Sequence, residues 1–368
     1  MKKKKIIMFV YGDITTDARV QRAASTLSKQ FEVILISNNW GKELPVATYK
    51  NILVGRDSYD SRNYFNTVRE VLKVVKTEKP YIFYGHDYYS ALIIRFLLNR
   101  KYCKKFVYEA HELYVPQKGV PFTVRSRFFY AIEKSIVKKV DLLICASHER
   151  AVKMQEYYGL DSSPVAIKNI SQLSVSFDDT TVAIMDSLKS FFSKPGLTVV
   201  YAGVVMGSRR IDELATVVAK HPDKYKLLIV GKGDALEKVK QIAASVPSLT
   251  SAFTGAVPYR SLGAILSKCD AGFIYYPVDT LNNIYCASNK LYEYASVSLP
   301  ILANENPTIK NELERGHMGV ASNNLESGLE QLSANIEMYK QACKVFTEHN
   351  MWEEESKLLE KTIIEFSK

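Results

Sequence analysis

The sequence has no apolar run long enough to cross a membrane. One of its longest, Ala91–Leu98, is broken by Arg95, where a span needs roughly 20 residues. Cysteine is sparse: Cys103, Cys145, Cys269, Cys286 and Cys343 are an odd, scattered set with no C-x-x-C pair. That spacing argues against a metal ribbon or a disulfide framework and fits a reducing, cytoplasmic setting. Low-complexity tracts and short repeats are absent. Lys2–Lys5 are like the charged start of an export signal, but the apolar run Ile6–Val10 is too short, so no such signal is expected.

The composition is that of a globular chain, with 47% hydrophobic and 24% charged residues among 368. The length suggests two domains. Short apolar strands alternate with amphipathic stretches, and the pattern runs twice. In the first half Ile6–Tyr11, Glu32–Ser37, Tyr81–Tyr84, Phe106–Tyr108 and Leu142–Ala146 read as buried strands; helices are expected between them. In the second half Leu197–Tyr201, Lys226–Val230, Ser251–Thr254, Gly272–Tyr275 and Pro300–Ala303 take that role. Continuous apolar strands separated by helices imply parallel sheets covered on both faces, hence two doubly wound α/β domains. The expected division is 1–170, a linker at 171–195 that is rich in Ser, Asp and Thr, 196–335, and C-terminal helices over 336–368. Ligands of such sheets bind beyond the carboxyl ends of the strands.

The net charge of +10 is unevenly spread: residues 1–170 hold 29 Lys and Arg against 16 Asp and Glu, and the remainder is slightly acidic. The first half is therefore aimed at something anionic. Arg125 and Arg127, with Phe128 and Phe129 beside them, suit an anionic bilayer surface. A recognisable nucleic-acid motif is lacking, so no nucleic-acid partner is expected.

The most informative segment runs from Ser288 to Pro300. Ser288 suits an N-cap, the helix start offers unpaired N–H groups to a phosphate, and Lys290 adds a full charge. Glu293 lies one turn along the same face, where a carboxylate can accept from two neighbouring hydroxyls. A plain surface Lys–Glu pair at i,i+3 is the alternative. Ahead of it come Gly203 with Arg209-Arg210, then Gly231-Lys232-Gly233, then Thr254-Gly255-Ala256-Val257-Pro258. The first half carries Gly12, Asp17-Ala18-Arg19-Val20, His86-Asp87 and Tyr108-Glu109-Ala110-His111-Glu112-Leu113.

This succession resembles glycosyltransferase family 4 and its near relatives over nearly the whole chain. The resemblance implies the GT-B architecture: two Rossmann-like domains facing across a cleft, with a C-terminal helix returning to the first. It also implies a nucleoside-diphosphate sugar as donor, no cofactor and no required metal, and retention of anomeric configuration. On the donor side, Glu293 would hold the ribose, and Ser288, Asn289 and Lys290 would meet the diphosphate. Arg209, or Arg210 if the loop aligns one residue on, would contact the phosphates. Val257 would read the base through its backbone, while Gly12 and Gly203 would allow close approach. His111 would sit near the reacting sugar with Glu112 beside it; His86, Asp87, Arg125 and Arg127 fall to the acceptor or membrane side.

Two positions depart from the family pattern. Tyr285 stands where the first glutamate of E-x7-E is usual, and Val204 stands where a basic residue often follows the glycine. The expected activity is transfer of a hexose-like sugar to a glycan or lipid-linked acceptor in bacterial surface-polysaccharide synthesis, at the inner membrane face. A GT-B nucleotide-sugar epimerase or hydrolase, or a silent subunit binding a partner enzyme, are the alternatives.

Overall fold

The computed structural model describes residues 3–15, 17–38, 44, 46–56 and 60–368. It divides into two compact units, Met1–Asn169 with Glu353–Lys368, and Ile170–Trp352.

The first unit contains seven strands: β1 Lys5–Phe9, β2 Glu32–Asn38, β3 Lys50–Val54, β4 Ile82–His86, β5 Lys105–Ala110, β6 Leu142–Cys145 and β7 Val165–Ala166. They form one parallel sheet in the order β3-β2-β1-β4-β5-β6-β7. Ile6, Ile7, Met8 and Phe9 are all fully buried, as a strand covered on both faces requires. The helices are started by local chemistry. Asp17 accepts from the Val20 N–H at 3.0 Å to open Ala18–Ser28, and Ser147 accepts from Arg150 N to open His148–Tyr158, which Gly159 ends with φ +58°. The last helix, Trp352–Ser367, packs in this unit through buried Leu359 and Ile363, and Glu355 accepts from the Lys168 N–H at 2.8 Å.

The second unit contains six strands: β8 Leu197–Ala202, β9 Tyr225–Val230, β10 Ser251–Gly255, β11 Ala271–Ile274, β12 Ile301–Ala303 and β13 Gly319–Ala321. Its parallel sheet runs β10-β9-β8-β11-β12-β13. Both sheets reverse direction of winding once, between β1 and β4 in the first and between β8 and β11 in the second. Each reversal opens a crevice at the carboxyl ends of the two strands. The two doubly wound sheets and the returning C-terminal helix are the architecture expected from the sequence.

Within 171–195 the segment Asp179–Phe192 is a helix. Asp178 caps it by accepting from the Thr181 N–H at 2.8 Å, and its Leu188 and Phe191 are buried in the core of the second unit. Ile336–His349 also belongs to this unit, with Cys343 and Phe346 buried.

Candidate active site

At the crevice of the second sheet, β8 ends at Gly203, which has φ +137° and donates its N–H to Val230 at 2.8 Å. The chain then passes Val205 and a short 3-10 turn to Arg209. Arg209 donates to the carbonyl of Tyr275, just past β11, at 3.0 Å, and its guanidinium lies 4.0 Å from the centre of the Tyr276 ring. The arginine therefore bridges the carboxyl ends of the two strands that flank the reversal. The neighbouring Arg210 takes the left-handed conformation, is exposed, and pairs with Glu213.

The helix Asn289–Ser296 starts at the same place. Lys290, in its first turn, lies 5.5 Å from the centre of the Tyr201 ring and against Gly203. Burial lowers Lys290 below an ordinary lysine; Glu293 opposes this, and Arg209 adds to it. Lys290 thus feels the charges of both Arg209 and Glu293 within the second unit. Glu293 is buried, and its carboxylate accepts from the Tyr259 hydroxyl at 3.1 Å; that hydroxyl also bonds Ser171 at 2.6 Å.

Ser288 occupies the N-cap position but does not cap. Its side chain makes no bond to the helix, and its hydroxyl is buried with no hydrogen-bond partner. A buried polar atom left unpaired costs about 1–3 kcal/mol, so this hydroxyl fits a group supplied from outside the protein. Asn289 beside it is exposed, and Val257 is half-buried just before the helix Tyr259–Leu266.

At the crevice of the first sheet, Gly12 follows β1 and a Cβ placed there would meet nothing within 4 Å among the described residues. His86 ends β4 and lies opposite Glu109 of β5 in the strand register. Glu109 is held from three sides. Arg19 Nε donates to its Oε1 at 2.5 Å, the Tyr84 hydroxyl donates to its Oε2 at 2.5 Å, and His86 Nδ1 lies 3.3 Å from Oε2. Although burial opposes its charge, Arg19 and His86 keep this carboxyl well below the usual range. His111, whose side chain is 19% exposed, places Nε2 at 3.2 Å from His86 Nδ1. Burial lowers His111 to about 4, so it is a neutral imidazole at pH 7. Arg150 donates to the His111 carbonyl and pairs with Glu112, which is half-buried.

The ligating atoms of His86, Glu109 and His111 lie within 4.8 Å of one another, as metal ligands can. The donor set argues against that use. Both carboxylate oxygens already hold donors, and the Arg19 guanidinium on Oε1 is a fixed positive charge where a cation would sit.

The other first-half candidates are dispersed. Asp87 has φ +57°, and its Oδ1 is buried without a hydrogen-bond partner. Burial, with Glu112 and Glu133, raises its carboxyl well above the ordinary value. A non-glycine residue in that conformation is strained and recurs at functional sites. Arg125 donates to the Tyr89 hydroxyl at 2.8 Å; Arg127 is exposed on the same helix, Val124–Ile136. Phe128 of that helix is 43% exposed, whereas Phe129 is core.

Sequence reasoning assigned no role to Arg19, Tyr84, Glu109 or Tyr259. The available signal was a charged residue on the apolar face of a helix and another inside an apolar strand, since buried charges are paired.

A family profile for Glycosyltransferase Family 4 matches residues 18–167. No curated protein sequence matches the chain significantly. Among solved structures the chain is similar to sucrose-phosphate synthase from Thermosynechococcus elongatus, with a TM-score of 0.75, 14% identity and 99% of each chain covered. It is similar to Anabaena HepE in complex with UDP-glucose, with a TM-score of 0.71 and 10% identity over 98% of this chain and 99% of that one. A third likeness is to WaaG, a glycosyltransferase involved in lipopolysaccharide biosynthesis, with a TM-score of 0.69 and 15% identity over 96% and 99%. At these identities the likeness is one of fold. Residues 18–167 thus carry the family 4 match, and nearly the whole chain shares the fold of these structures.

Proposed function

We propose that the chain takes a hexose from a nucleoside-diphosphate sugar, UDP- or GDP-linked, and transfers it to a glycan or lipid-linked acceptor of bacterial surface polysaccharide. The observation that carries the donor side is the buried, unpaired Ser288 hydroxyl at a helix start, with Lys290 in the first turn and the charge of Arg209 acting on Lys290. These are a donor, a helix dipole and two cations arranged for a leaving diphosphate. Glu293, fixed by Tyr259, is the proposed ribose partner, and the Val257 backbone reads the base. The UDP-glucose complex of the similar HepE supports this donor class.

In the proposed reaction the bond between the sugar C1 and the diphosphate oxygen breaks, and C1 bonds to the acceptor oxygen. The acceptor's proton passes to the departing diphosphate, with retention of configuration. His111 is the proposed hydrogen-bond partner of the reacting sugar, with Glu112 beside it, and Asp87 is proposed for an acceptor hydroxyl. The exposed Val124 and Phe128, flanked by Arg125, Arg127 and Lys134, support peripheral binding to an anionic membrane surface. Each basic residue there contributes about 1 kcal/mol. Among the described residues no helix is long and apolar enough to cross a membrane.

Nucleotide release from UDP-, GDP- and dTDP-sugars, with and without a lipid-phosphate glycan, tests the reading. Acceptor-dependent release is expected. Turnover without acceptor would favour an epimerase or hydrolase, and binding without turnover would favour a silent subunit. Sedimentation with anionic liposomes at low salt tests the surface; failure to bind would remove that part.

A further inference from the structure

We propose that His86 is a positioning residue for His111, its Nδ1–H holding His111 Nε2 as an acceptor and so leaving the His111 hydrogen on Nδ1. This rests on the reading of His111 as partner of the reacting sugar.

His86 is fully buried, so it meets no substrate. Its ring stacks on Tyr84 with centres 4.7 Å apart and planes at 17°, which fixes its plane. Nδ1 faces Glu109 Oε2 at 3.3 Å and His111 Nε2 at 3.2 Å, while Nε2 has no partner. A hydrogen on Nε2 would be a buried orphan donor and would turn the Nδ1 lone pair onto a carboxylate oxygen. Placing it on Nδ1 removes both costs. Glu109 cannot swing away, because Arg19 and Tyr84 hold it. Oε2 also receives the Tyr84 hydroxyl, and the His86 Nδ1–H is shared between Oε2 and His111 Nε2.

His111 then carries its own hydrogen on the nitrogen that does not face His86, and it is a neutral donor for a sugar hydroxyl. The groups acting on it are Arg19 and Asp17 from the first helix and its cap, and Glu109 and His86 from the strands. Arg150 acts through the His111 carbonyl. Without the His86 donor, His111 Nε2 is left 3.9 Å from Glu109 Oε1 and takes up a proton toward it. Hence the basicity of His111 rises and its hydrogen changes nitrogen.

Nitrogen-15 imidazole spectroscopy of the intact wild-type protein reads this directly, and His111 protonated on Nδ1 is expected. In H86F, which keeps the stacked ring but no donor, kcat falls at least tenfold, the donor KM holds, and the acid limb of the pH profile moves to higher pH. H86N, whose amide can donate from a similar place, recovers most of the loss. His111 protonated on Nε2 in the wild type overturns the proposal, as does wild-type kcat and pH profile in H86F. If H86F does not fold, the wild-type spectrum and H86N still decide. Unchanged turnover in H111A would remove the reading underneath while leaving the tautomer measurement intact. Stoichiometric zinc or manganese that raises activity would overturn the proposal in favour of a metal site.

Discussion

Lys290 fills the space that a side chain at Gly203 would need: a Cβ there would lie 2.9 Å from both Cε and Nζ of the lysine. The family pattern usually places a basic residue just after this glycine, and this chain has Val204, which is 62% exposed. The charge reaches the same loop from the helix Asn289–Ser296 instead. The absent glycine side chain and the displaced charge are thus one arrangement.

Gly203→Ala is accordingly expected to act twice. The φ of +137° strains any L-residue, at about 1–3 kcal/mol of folding stability. The methyl also pushes Lys290 aside, so nucleotide affinity falls. Urea unfolding and calorimetric titration with UDP and GDP measure the two separately. A loss of stability with unaltered affinity would detach Lys290 from nucleotide binding.

Ser288→Ala separates a cap from a ligand contact. A capping serine costs about 0.5–2 kcal/mol when replaced by alanine, but here no capping bond exists and the hydroxyl is unpaired. Folding stability should stay level or rise, while nucleotide affinity drops. A destabilised variant with full affinity would mean that the hydroxyl works as an ordinary cap.

Glu133 gives the first unit a pH signature. It is buried, accepts from the Tyr108 hydroxyl at 2.5 Å and the Tyr158 hydroxyl at 2.8 Å, and burial raises it to about 7. Between about 4.5 and 7 the folded state binds more protons than the unfolded state at this group. Its contribution is therefore complete below the unfolded value and is lost as pH rises through the folded one, on the order of 3 kcal/mol at most. His111, lowered to about 4, contributes the opposite slope between there and its unfolded value near 6.5. Glu133→Gln should remove the falling slope and expose the rising one in stability measured from pH 5 to 8. An unchanged profile would contradict this assignment.

Much of the fold was legible because buried parallel strands read as unbroken apolar runs. Ile6–Phe9 and Leu227–Ile229 are of that kind, every residue fully buried. β3 was not legible, since Lys50–Val54 is a half-exposed edge strand, and β7 has only two residues. The helix Asp179–Phe192 was hidden by its own cap, because Asp178 and Thr181 gave the segment a linker's composition. At the site, the resemblance singled out His111, Lys290 and Glu293 one at a time. What it did not reach were relations set by register and packing: His86 opposite Glu109 across two strands, Arg19 on that carboxylate, and Lys290 against Gly203. Local pattern carries element type; pairings between residues far apart in the chain emerge only once the sheet is assembled.

Lys290 and Glu293 are the residues proposed to hold the donor nucleotide. Calorimetric titration of UDP and GDP into the wild type, Lys290→Ala and Glu293→Ala tests this most directly. Loss of a charge-assisted bond worth about 1.5–3 kcal/mol predicts affinity lower by roughly ten- to a hundredfold in each variant. Affinity equal to the wild type in both variants would contradict it.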